Sequence, residues 1–91
     1  MTASSKTDTT MAHTAEVARI IADAVWRANN ARNLAARSRD NLFAAIDGVP
    51  DHGNFTWAER AILDQRASER ESAKARADME AARAAIAKAE A

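Results

Sequence analysis

The feature that most constrains this chain is a run of small, uncharged residues at alternating four- and three-residue steps in its second half. It reads Ala61, Gln65, Ser68, Ser72, Ala75, Met79, Ala82, Ile86, Ala89, while Arg, Lys, Asp and Glu crowd the positions between. Sustained 4-3 spacing marks a long helix with one narrow face laid against another helix. Alanine and serine in place of leucine let the two backbones come unusually close. The first half carries a matching series: Val17, Ile21, Ala24, Ala28, Ala31, Ala35, Ser38, Leu42, Ala45. Together the two stripes predict an all-α fold, an antiparallel two-helix hairpin of the alanine-rich coiled-coil type.

Punctuation between the stripes is confined to one place. Both glycines and the single proline lie in residues 48–55, GVPDHGNF. Gly48 suits the position just past a helix end, and Pro50 forbids continuation. Thr56-Trp57-Ala58-Glu59 then forms a capping box, in which a hydroxyl and a carboxylate satisfy free backbone N–H groups. The expected boundaries are helix 1 at about 12–47, a loop at 48–55 and helix 2 at about 56–89. Residues 12–91 would form one hairpin domain, preceded by a flexible Ser/Thr-rich tail over 1–11. Folding about the loop predicts Ile21 near Ala82, Ala24 near Met79, Ala28 near Ala75, and Leu42 near Ala61 and Ile62. Ser38 is expected to face Gln65. The charged residues of helix 2, Asp64, Glu71 and Asp78 among them, are expected on a solvated outer face.

Composition limits how much such a hairpin can bury. Alanine supplies 25 of the 91 residues, leaving only 18 larger apolar side chains. Chains this small are marginal even when well packed, so dimerisation into a four-helix bundle is the natural remedy. Thirteen basic residues balance thirteen acidic ones, which removes any bulk attraction to nucleic acid or anionic lipid. No cysteine is present, so disulfides and zinc–thiolate sites are excluded. No apolar run reaches the ~18 residues that suggest a bilayer span. The polar start MTASSKTDTT lacks the apolar core of a secretory signal, so a cytoplasmic protein without membrane contact is expected.

Helix 1 holds the candidate functional residues. Trp26 points almost directly away from the alanine seam, with Arg19, Asn30, Asn33 and Arg37 around it. These five form the expected partner-binding surface, because Trp and Arg are frequent hot-spot residues. Val25 and Phe43 lie on a second apolar strip and are the expected oligomer interface. That strip either buries itself in a homodimer or anchors a foreign protein. The segment Arg27–Arg39 contains four arginines, three asparagines and no acid. Guanidinium for phosphate, amide for base edges and indole for stacking make an RNA- or DNA-binding face the alternative.

The loop places Asp51, His52 and Asn54 close together, but the only other histidine, His13, belongs near the opposite end of a long hairpin. Metal binding, a bound cofactor and a Ser-His-Asp nucleophile are therefore not expected. The glycine of the turn precedes its tryptophan, unlike the Trp-x-Gly turn that marks one family of secreted helical hairpins. The expected function is non-enzymatic: a hairpin that binds another protein as an adaptor, structural subunit or inhibitor.

Overall fold

A computed structural model describes the backbone of residues 2–90 and the side chains of residues 12–90. The chain forms two helices, α1 (Thr2–Ile46) and α2 (Trp57–Glu90), packed antiparallel in a rod 70 × 20 × 17 Å. Helical backbone reaches Thr2, well before the start expected near residue 12, and so includes the segment expected as a flexible tail. No glycine or proline interrupts residues 2–11, and an established helix gains one hydrogen bond for each residue it adds. The far end of α1 and both ends of α2 lie within one residue of expectation.

The turn is heavily bonded. Gly48 adopts φ +72°, its N–H donates to Ala45 O, and Val49 N–H donates to Ala44 O. That pair of bonds closes the last turn of α1 as a Schellman motif, which needs the left-handed residue glycine supplies. At the start of α2, Glu59 N–H donates to Thr56 Oγ1 at 3.0 Å, and Thr56 N–H donates to Glu59 Oε1 at 3.0 Å. These bonds hold the Glu59 carboxyl below its ordinary pKa, the Thr56 backbone N–H contributing most. Trp57 organises the rest. Its backbone N–H donates to Asp51 Oδ1 and its indole N–H to Pro50 O, while His52 packs edge-on and Arg60 lies over the ring at 4.6 Å. Arg60 also donates to His52 O.

Between the helices, every buried residue among those described belongs to one heptad row on each arm of the hairpin. Ala24, Ala31 and Ser38 on α1 meet Ala61, Ser68, Ala75 and Ala82 on α2. Ser38 Oγ donates to Ala61 O at 2.6 Å, and Ser68 Oγ donates to Ala31 O at 2.7 Å. A seryl hydroxyl is short, so these two bonds require the backbones to lie close together. They also set the register. Ser38 bonds the Ala61 carbonyl and not Gln65, whose exposed amide instead bonds Glu69. The expected neighbours Ala24 and Met79 do line one shared depression, as do Ala28 and Ala75.

The second row of the seam differs from expectation. Ala35 and Ser72 in that row are partly covered, but Ile21, Ala28 and Leu42 on α1, with Gln65, Met79 and Ile86 on α2, stay exposed. Contact passes to the other side of the buried row, through Ile20, Arg27, Leu34 and Asn41 opposite Asp64, Glu71, Asp78 and Ala85, all partly covered. The three acids, expected in solvent, therefore face α1. They do so because α1 offers each of them a cation or an amide, and two ions become tolerable at a helix contact when paired.

Two expected outcomes follow from this packing. Ala75→Leu should destabilise the hairpin by about 1–3 kcal/mol, since the seryl bonds leave no room for a longer side chain; thermal unfolding by circular dichroism checks it, and an unchanged melting temperature would contradict close contact there. Because the Glu59 pKa is lowered on folding, its contribution is present above the ordinary carboxylate pKa and lost as pH falls through the lowered value. Glu59→Gln should thus flatten the acid limb of the stability–pH curve, leaving any residual acid loss to other carboxyls.

Candidate functional site

Two surfaces flank the buried row, and their chemistry is opposite. On the first, Arg37 of α1 reaches across to Asp64, donating from Nε at 3.0 Å and Nη2 at 2.9 Å, and Asn41 Nδ2 adds a third bond at 2.9 Å. One carboxylate thus accepts three donors, two of them from a guanidinium fork. Hydrogen bonding to Asp64, then attraction to its charge, raises the already high pKa of Arg37. Further along, Arg27 Nε stands 3.0 Å from Asp78 Oδ2, with Glu71 Oε2 3.8 Å from Nη1. The distances make an ion cluster, but the Arg27 Nε–H does not point at Asp78 well enough for a hydrogen bond. This side of the hairpin pairs its charges internally, with Arg27 Nε, Glu71 Oε2 and Asp78 Oδ2 in an ion cluster but without a hydrogen bond.

The other surface is apolar and uncovered. Met79 and Ile86 are 38% and 41% exposed, Leu42 and Ile62 about half. Not one large side chain of the hairpin is fully buried among the described residues.

The seven residues singled out in the sequence distribute unevenly over this frame. Arg19, Trp26 and Asn33, seven residues apart, form one stripe on the outside of α1, with Trp26 63% exposed and Arg19 3.7 Å from Asp23. Asn30 and Arg37 occupy the neighbouring stripe, nearer α2, where Arg37 is drawn onto Asp64. Val25 sits at the mouth of the depression that Met79 also lines. Phe43 is farther round α1, 54% exposed. Its placement, with Trp26, extends the apolar surface from the groove over the back of α1.

Sequence reading missed Arg27, Asn41 and the acids facing them. The signal was present: Asp64, Glu71 and Asp78 recur every seven residues on α2, opposite Arg27 and Asn41 on α1. Requiring an uncharged seam hid it. In the loop, Asp51 and His52 are engaged with Trp57, and no three His, Asp or Glu side chains gather as a metal-binding group among the described residues. No helix there is long and apolar enough to cross a membrane. No protein-family model, curated protein or solved structure matches the chain.

Asp64→Ala should leave Arg37 and Asn41 without their shared acceptor. Arg37 is largely exposed, so solvent already screens the pair and the loss should stay near or below about 1 kcal/mol. Urea unfolding checks it, and Arg37→Ala in the Asp64→Ala background should then cost almost nothing more.

Proposed function

We propose that the chain is a cytoplasmic, non-enzymatic protein-binding hairpin, an adaptor, structural subunit or inhibitor, that pairs with a second copy as a four-helix bundle. Its partner protein meets the outer face of α1, on the stripe of Arg19, Trp26 and Asn33 with Asn30 beside it. One observation carries this reading: the contact between α1 and α2 uses only alanine and serine as its buried residues, leaving the larger apolar side chains outside. A fold that leaves Val25, Trp26, Met79 and Ile86 more than a third exposed presents them to something else. Trp26 is the largest of those on α1, and it stands among guanidinium and amide groups suited to an interface rim.

Nucleic acid is the second reading. Against it, Arg27 and Arg37, half of the arginines between 27 and 39, are already engaged by acids of α2. Those acids cancel charge where phosphate would have to approach.

Capture of the native partner by the immobilised chain, compared with Trp26→Ala and Arg70→Ala, tests both. Trp26→Ala should weaken binding by about 2 kcal/mol or more, while Arg70→Ala, on the exposed back of α2, should leave it within about 0.5 kcal/mol. Protein binding should survive moderate salt; a steep fall in affinity as salt rises would favour nucleic acid instead. Undiminished capture by Trp26→Ala would place the recognition surface elsewhere.

A further inference from the structure

The uncovered surface beside the seam is one continuous groove. Its middle is floored by Ala28, Ala35 and Ser72, and its open end by Val17, Ile21 and Ile86, with Met79 between. We infer that a second copy of this chain covers the groove with its own, both loops lying at the same end, so that each α1 rests on the other copy's α2. This deepens the dimer proposed above by assigning its face and its polarity.

Three observations favour that occupant. The first is area. From Val17 to Leu42 the groove runs about 38 Å at 1.5 Å per residue, and the hairpin is 20 Å across. Covering it removes roughly 750 Å² from each copy, about 1,500 Å² in total, within the range of stable specific interfaces. A lone helix would cover about half of that.

The second is shape. The shared depressions set Ala28 beside Ala75 and Ala24 beside Met79, which puts Ile21 in height between Met79 and Ile86, about 5 Å from each, and puts Ser72 between Ala28 and Ala35. A two-fold axis parallel to the helices carries each α1 residue onto the α2 residue at its own height. Ile21 then enters between the other copy's Met79 and Ile86, and Ser72 between its Ala28 and Ala35, so large side chains interleave with large ones and small with small along the groove.

Charge decides the polarity. The α1 rim of the groove is the stripe Val25, Arg32, Arg39, and the α2 rim is Glu69, Arg76, Arg83. Arg32 and Glu69 differ in height by about 3 Å, so with loops together each Arg32 stands over the other copy's Glu69, twice per dimer. With loops at opposite ends, α1 would lie on α1, gathering Arg32 and Arg39 of both copies on an edge without an acid. Repulsion there disfavours that arrangement. Val25 is at the rim of the buried area, whereas Trp26 and Phe43 remain on the outside of the bundle.

Asn54→Cys tests this directly, because the chain has no other cysteine and a spin label there reports the separation of the two loops. With loops together, the labels should be about 20–35 Å apart, allowing 8–10 Å between packed layers and the length of the label arms. Loops at opposite ends would give roughly 50–60 Å, twice the run from Ala31 to the turn, and would overturn the polarity while leaving the dimer. Ala28→Arg, at an exposed position on the groove floor, should weaken self-association at least tenfold by sedimentation, with helicity unchanged by circular dichroism. Ala77→Arg on the back of α2 should not. Ser72→Glu repeats the groove test from α2 should Ala28→Arg lose helicity. A dimer undisturbed by a folded groove variant would overturn the groove as the interface, and a monomer at high micromolar concentration would overturn the dimer itself.

Discussion

Everything in this hairpin follows from how near the two helices stand to one another, and two hydroxyl groups show how near that is. Ser38 and Ser68 each reach the backbone carbonyl of the opposite helix, one from α1 to α2 and one from α2 to α1. Only residues as small as alanine and serine fit between backbones held at that distance, and those are the residues found buried. The hydroxyls are satisfied across the interface, so their burial carries no unpaired donor. Close approach also increases dispersion contact along the whole seam, a gain that large interdigitating side chains would forfeit by separating the axes.

The same closeness has a cost that shapes the rest of the surface. A seam of alanine and serine buries little apolar area, at roughly 0.8 kcal/mol for each buried methylene-sized group. Larger side chains that would have filled a wider interface are displaced to its edges. On one edge the chain places charge against charge, with Arg27 between two acids and Arg37 with Asn41 on Asp64. On the other edge it places Ile21, Val25, Met79 and Ile86, which the hairpin leaves 36–53% exposed. The hairpin as a unit is therefore amphipathic in the way a single surface helix is, with a polar side whose charges pair within the hairpin and an apolar side left exposed.

The turn serves this arrangement by leaving the helices little freedom in how they enter it. A Schellman motif ends α1, a capping box begins α2, and Trp57 ties the intervening residues to the first turn of α2. At Gly53, φ is +80° and Arg60 Nη2 lies 3.0 Å from where a Cβ would stand, so the arginine packs against bare backbone. Fixing the turn on both sides limits sliding of one helix along the other, which a repetitive alanine seam does little to resist alone.

Local chemistry alone determined much of this molecule. The ends of both helices at the turn are legible because glycine, proline and the Thr56–Glu59 pair act within a few residues of themselves. The buried row is legible because a seven-residue recurrence of Ala and Ser survives any rotation of the helices that keeps it central. What only the tertiary structure decided is which side of that row the helices roll toward. Both sides carry a 4-3 series, one small and uncharged, the other mixing Ile20 and Leu34 with Arg27 and Asn41. Choosing between them depends on pairing Asp64, Glu71 and Asp78 with groups on the other helix, an interaction between residues 23 to 51 apart in sequence. The roll settled by those pairs separates the candidate surfaces. It spends Arg37 inside the hairpin, leaves Trp26 outside, and opens the apolar groove that the uncharged series had been expected to close.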